Sequence, residues 1–318
     1  MKKLLALLLA TVMVFSLTAC GGDSADTTEP ADTTETTEPS GTDETTEPSG
    51  TDDTTEPADT TEPADGETSD ETSGDAASDL AYVQDKGTLV VGITDFEPMD
   101  YRAEGSDEWI GFDADMAKHF GEYLGVDVEF MEITWDYKVM ELDSKNIDVV
   151  WNGMTINDEV LAAMSVSNPY CLNAQVLVVP ADSAADFENL TSLEGLNVAV
   201  ESGSAGEEAA TALGATTIPV QAQSNTLLEV SAGTADAAVI DLLMAGAMIG
   251  EGTSYADLTY TLNLNDAQGL PSEEYGVGFR QGSDLVDEFN TFWTEKVADG
   301  TVMAVATEYG LQEAVILE

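Results

Sequence analysis

The sequence predicts an α/β fold, and three observations support this. Composition changes abruptly twice along the 318 residues, leaving a body at 80–318 that is rich in Val, Ile, Leu, Ala and Gly. Within that body short β-branched runs alternate with amphipathic stretches, the rhythm of strands and crossover helices in a mostly parallel sheet. The rhythm restarts near residue 175, and the 239 residues of the body are enough for two lobes with cores of their own.

The chain opens with "MKKLLALLLATVMVFSLTAC": Lys2 and Lys3, an apolar run from Leu4 to Leu17, and small residues before Cys20. This is the layout of a secretory signal over residues 1–20. The run falls short of the about 20 apolar residues that a bilayer span needs, and no positive stop-transfer cluster follows it. Its end, "LTACGG", resembles the bacterial lipobox, which implies that Cys20 becomes a lipidated N-terminus and anchors the chain to the outer face of the cytoplasmic membrane. Residues 21–79 repeat "TTEP" five times and hold 20 Asp plus Glu with no Lys or Arg. So little apolar surface cannot offset ordering entropy, and the segment is expected to be a disordered acidic tether. At ~3.3 Å per residue it reaches roughly 190 Å when fully extended.

In the body, "TLVVGIT" (88–94) reads as a strand. "GFDADMAKHFGEYLG" places Met116, Phe120 and Leu124 on one helical face, with Gly125 where a C-terminal glycine belongs. "VDVEFMEI" alternates as a strand, and "YKVMELDSKNIDVVWNG" gives a helix followed by a strand from Ile147 to Trp151. Asn157 suits the cap of the next helix, with Glu159 in its first turn. Further strands are expected at "QVLVV", "LNVAV", "TTIPV" and "AAVI", separated by helices at "SAGEEAATALG", "SNTLLEVSAG" and "DLLMAGAMIG". "YGVGFR" and the helical pattern from Ser283 to Ala298 then return the chain to the first unit.

Charge and cysteine usage narrow the function. The body carries 42 acids against seven Lys plus Arg, a difference of 35 negative charges, which repels nucleic acid. Only Cys20 and Cys171 exist, so a lipidated Cys20 leaves no intrachain disulfide. The lone His119 lies in a helical stretch distant in sequence from Cys171, which reads as a buried, inert thiol. No cofactor or metal is expected.

Nine segments in order, among them "LVVGITDFEPMDY", "TWDYKVMEL", "IDVVWNGMTI", "NPYCLNAQVLVV", "LEGLNVAVESGS", "AGTADAAVIDLLMA" and "EYGVGFRQGSDL", resemble the type II periplasmic-type solute-binding proteins of ABC importers, specifically the polar amino acid group. The resemblance implies two α/β lobes joined by two crossing hinge strands, with the ligand trapped between them. Lobe one would be 80–170 plus 277–318 and lobe two 175–272, with crossings near 171–174 and 273–276. One departure is at the C-terminus, where Glu308 and Tyr309 replace a Lys-Trp pair.

Carried over by that resemblance, the lobe-one contacts would be Phe96 and Trp135 as flat walls with Asn152, Gly153 and Thr155 as polar groups. Lobe two would add Glu201, Gly203, Ser204, Ala205 and Asp241. Each position has a structural alternative. An aromatic beside a polar turn packs inward as readily as it faces a cleft; Glu201 suits pocket or surface; Gly203 and Ser204 suit an anion site or plain helix capping. Asp241 would meet a ligand ammonium or serve as an N-cap. The group's usual arginine, which grips the ligand α-carboxylate, is here Val160, and neither Arg102 nor Arg280 is an obvious substitute. The cleft is therefore expected to lack a cation. These readings imply a monomeric binding protein that delivers a small amine-bearing solute, an amino acid or a related compound, to the membrane subunits of an ABC importer. A secreted dehydratase-like enzyme on the same fold and a ligand-sensing surface protein are the alternatives.

Overall fold

A computed structural model describes residues 78–103 and 105–317; the signal segment, Cys20 and residues 21–77 of the expected tether lie outside the described residues. The folded body starts two residues before the expected boundary. Ser78 caps α1 (Asp79–Lys86), accepting from the Ala81 N–H at 2.9 Å and donating to the Asp284 carboxylate at 2.5 Å. Asp79, placed in the tether by composition, is buried and pairs with Arg280 at 3.0 Å. Its partner lies 201 residues away in sequence, beyond the reach of any local pattern.

From α1 the chain runs through β1 (Thr88–Ile93), the short β2 (Tyr101–Arg102) and β3 (Trp109–Ile110), α2 (Phe112–Leu124) and β4 (Asp127–Glu132). The buried stripe of α2 is the expected one, with Met116 and Phe120 fully buried, and Gly125 ends the helix at φ +76°. A single turn at Trp135–Tyr137 leads into α3 (Lys138–Asp143), β5 (Val149–Thr155), α4 (Asp158–Ala163), β6 (Ser165–Val166) and β7 (Cys171–Asn173). Strand β5 extends four residues beyond Trp151, the expected end, because its final residues pair with a later strand. Asn157 caps α4 by accepting from the Val160 N–H at 2.9 Å.

The second unit comprises β8 (Gln175–Pro180), β9 (Asn197–Glu201), α5 (Ala205–Ala212), β10 (Thr216–Val220), α6 (Gln223–Ser231), β11 (Ala237–Asp241), α7 (Leu242–Met248), β12 (Leu258–Asn263) and α8 (Leu264–Gln268). The chain then returns through β13 (Glu273–Phe279) to α9 (Leu285–Asp299) and α10 (Thr301–Glu308). Two large sheets result, ordered β4-β1-β5-β13-β6 with β7 on β13, and β10-β9-β11-β8-β12, beside a two-stranded β2-β3 pair. Neither is mostly parallel, contrary to the expectation. Each sheet takes in a strand arriving from the other lobe, β13 in the first and β8 in the second, and each arrives antiparallel to its neighbours.

The two crossings lie side by side, with Asn173, Leu172 and Cys171 of β7 opposite Glu273, Glu274 and Tyr275 of β13. The chain end lies along the other edge of β7. Leu172 N–H donates to the Ala314 carbonyl and Ile316 N–H to the Tyr170 carbonyl, both at 2.8 Å. Aromatic packing behind the first sheet joins Phe120, Trp151, Tyr170, Phe289 and Trp293, so the returning helix α9 belongs to the first lobe's core. Both sheets lie in one compact unit. Among the described residues no helix is long and apolar enough to cross a membrane.

Candidate ligand-binding site

The carboxyl ends of β5, β9 and β11 and the turn before α3 converge on a cavity of about 470 Å3 between the sheets. That size suits a small molecule, and strand C-termini are where open α/β sheets hold ligands. All ten residues carried over by resemblance line it: Phe96, Trp135, Asn152, Gly153, Thr155, Glu201, Gly203, Ser204, Ala205 and Asp241. They differ in what they can still offer a ligand.

On the lobe-one side, Phe96 and Trp135 are 3% and 6% exposed, so each is mostly core with one face on the cavity. Phe96 packs edge-to-face on Tyr275 at 6.4 Å. Gly153 adopts φ +55°, and a Cβ there would lie 2.5 Å from the Phe96 ring; the aromatic wall therefore requires glycine. Its N–H donates to the buried Asp113 carboxylate at 2.8 Å. Asn152 is fully engaged: its amide donates to the Thr94 carbonyl and to Asp100, and its oxygen accepts from the Thr94 N–H and hydroxyl. That side chain braces two strand ends and has no free hydrogen-bonding group. Thr155 donates its hydroxyl to Glu273 at 3.1 Å. Val160 lines the cavity with its apolar side chain.

On the lobe-two side, Asp241 is buried, and its side chain does not cap α7. Instead its Oδ1 accepts from Asn173, from Gln175 at 3.0 Å and from the Tyr275 hydroxyl at 2.9 Å, while Gln223 donates to Oδ2 and accepts from the Asp241 N–H. Burial, reinforced by the nearby Glu273, pushes the Asp241 carboxyl up to about 7 against these donors. Glu201 is 4% exposed, and its Oε1 has no partner among the described residues. Burial and the neighbouring Asp241 push its carboxyl up to about 8, opposed by the Gln223 backbone N–H, Lys138 and Thr94.

Ser204 caps α5, accepting from the Glu207 N–H at 3.1 Å, and the Glu207 carboxylate accepts from the Gly203 N–H at 2.8 Å. This reciprocal box uses the capping alternative and fills the helix entrance with the chain's own carboxylate. Gly203, at φ +71°, also lies close against lobe one: a Cβ would lie 2.8 Å from Asp136.

The sequence predicts a cleft without a cation, and the structure corrects this. Lys138, at the start of α3, enters the cavity, lies 4.9 Å over the Trp135 ring, and donates to the carbonyls of Gly203 at 3.0 Å and Trp135 at 3.4 Å. Burial lowers its pKa, while Glu159, Glu201 and Asp136 pull the other way. Lys138 reads from sequence as an ordinary polar helix position; the available signal was its place one turn after the wall residue Trp135. Gln223, which begins the helix after β10 and grips Asp241 at two points, was also missed. Five acids, Glu159, Glu201, Glu207, Glu208 and Asp241, line the cavity with this one lysine. Arg280 lies elsewhere, buried between Asp79 and Asp148, and Arg102 pairs with Glu132 on the surface. Cys171 is buried, and burial with the Asp113 charge raises its thiol. Among the described residues no group of three or more His, Cys, Asp or Glu is placed to hold a metal.

The L-cystine-binding protein TcyJ of Escherichia coli is 27% identical over 234 residues, covering 72% of this chain and 85% of TcyJ. The arginine-binding extracellular protein ArtP of Bacillus subtilis is 30% identical over 227 residues, covering 68% and 83%. Among solved structures, a mutant of ArgBP from T. maritima matches with a TM-score of 0.65 and 30% identity over 73% of this chain and 98% of that one. The ancestral amino acid-binding protein AncCDT-1, a precursor of cyclohexadienyl dehydratase, matches with a TM-score of 0.64 and 28% identity over 73% and 99%. The model for bacterial extracellular solute-binding proteins, family 3, matches residues 89–312, and the chain belongs to that family.

Proposed function

We propose that this chain is the extracytoplasmic solute-binding component of an ABC importer, anchored through a lipid on Cys20, and that it captures a small amine-bearing solute, an amino acid or a related compound. The carrying observation is the interlobe cavity itself: two buried carboxyls, Glu201 and Asp241, face it beside the aromatic walls Phe96 and Trp135. Contacts made from both lobes to one ligand exist only when the lobes are closed, so binding shifts the population toward a shape that membrane subunits recognise. Relatives named for arginine and cystine support an amino-acid-like ligand. In this reading Asp241 and Glu201 meet the ammonium, Phe96 and Trp135 sandwich the ligand body, and Thr155 with the backbone at Gly153 and around Gly203 to Ala205 supplies polar contacts. The chain acts as a monomer, with the tether giving reach from the membrane.

A thermal-shift screen of amino acids, amines, betaines and small peptides tests this, because a ligand at 100 times its Kd adds about 2.7 kcal/mol of stability. Small-angle scattering should show a smaller radius of gyration with the hit, and mass spectrometry should recover the hit unchanged. One observation favours a second reading, a dehydratase-like enzyme: two buried carboxyls hold a proton near neutrality, as a general acid must. Steady conversion of the bound compound would establish that reading and remove the first.

A further inference from the structure

Resting on the solute-binding reading, we propose that Glu201 and Asp241 bracket one ammonium or guanidinium group and that the cleft has no carboxylate subsite, so its preferred ligand is a cationic amine without a free α-carboxylate. Two independent sets of observations meet here. The first concerns what the cavity offers a cation. Glu201 lines the cavity, and its buried Oε1 has no partner among the described residues. A buried acceptor left unpaired is costly, and a ligand N–H is the group that satisfies it. Asp241 Oδ1 already takes three donors while Oδ2 takes only Gln223, so Oδ2 keeps capacity for one more. The two acids end the neighbouring parallel strands β9 and β11, one residue out of step in the register, and both line the same cavity, where a single nitrogen centre held between them would meet both.

The second set concerns what the cavity withholds from an anion. Val160 supplies no charge. Lys138 directs two of its three N–H groups at the Gly203 and Trp135 carbonyls and lies among acids. At the entrance of α5 the Gly203 N–H is taken by Glu207, and the Ser204 N–H by the Glu201 carbonyl at 3.3 Å. An incoming carboxylate would compete with Glu207 at the helix entrance and meet Glu159, Glu201, Glu208 and Asp241 around the same cavity, with Lys138, already donating to two carbonyls, as the one cation among the described lining residues. Removing that carboxylate from the ligand removes the penalty and keeps the bracket.

The test is calorimetry on the full chain with matched pairs: lysine and cadaverine, ornithine and putrescine, arginine and agmatine. The expected result is that in at least one pair the decarboxylated member binds at least tenfold more tightly. Glu201→Gln should weaken that binding at least fivefold, and Val160→Arg should shift the preference back toward the amino acid. If in every pair the amino acid binds as tightly or more tightly, the proposal is overturned while the solute-binding reading stands. If the amine binds but Glu201→Gln, folded by circular dichroism, leaves its affinity unchanged, the bracket is wrong. Should no amine and no amino acid bind at all, both readings fall together.

Discussion

Glu201 couples ligand recognition to protons. Its folded carboxyl holds a proton up to about pH 8, against an ordinary glutamate value of 4.5, so across that window the folded chain binds a proton that the unfolded chain releases. Stability from this group is present below about pH 4.5 and is lost as pH rises toward 8. Asp241, raised to about 7, acts in the same direction. Thermal midpoints of the ligand-free chain should therefore fall between pH 5 and 8, and Glu201→Gln should flatten part of that slope. An unchanged slope would show that Glu201 is not the proton holder. Gly153 gives a second expectation at this scale. Gly153→Ala forces a left-handed alanine and drives its methyl into Phe96, which should cost about 1–3 kcal/mol in chemical denaturation and weaken ligand affinity by moving the aromatic wall.

Among the elements, α1 is the one whose role the composition concealed. Arg280, 8% exposed, lies between Asp79 and Asp148 and donates to the Leu142 and Ile147 carbonyls, so α1, α3 and β5 meet on one guanidinium. Asp79→Ala should destabilise the fold by about 2–3 kcal/mol, below the usual cost of breaking a buried pair because Asp148 remains. A chain beginning at Ser78 should fold and bind as the full chain does, and one beginning at Ala81 should unfold at lower denaturant. Elements that local periodicity specifies were legible beforehand: β1, α2, the β9 to α7 run, and the Asn157 cap. Pairings between distant segments were not. The antiparallel entry of β8 and β13, the extension of β5 and the burial of Asp79 all depend on contacts between segments sixty residues or more apart. The site followed the same division. Its ten residues lie on strand ends and turns, which recur at recognisable positions, whereas Lys138 enters from a helix whose face only packing decides.

For the whole molecule, the body's excess of 35 negative charges predicts that association with a cationic ligand slows as salt rises, because exposed carboxylates act through a Debye length of about 10 Å at 0.1 M. Stopped-flow association rates at 20 and 300 mM salt should differ for a cation and coincide for a neutral ligand. The chain end extends the same concern with rates to the hinge. Residues 314–316 lie against β7, with bonds on either side of Cys171, and so splint one of the two crossings. A splint stiffens a torsional joint without touching what the joint encloses. Removing the residues after Ala314 should therefore leave the cleft intact yet let the lobes part more often, shortening ligand residence time several-fold while association changes little. It also warns against a C-terminal fusion as a reporter for this protein, since a load there would twist the joint it was meant to observe.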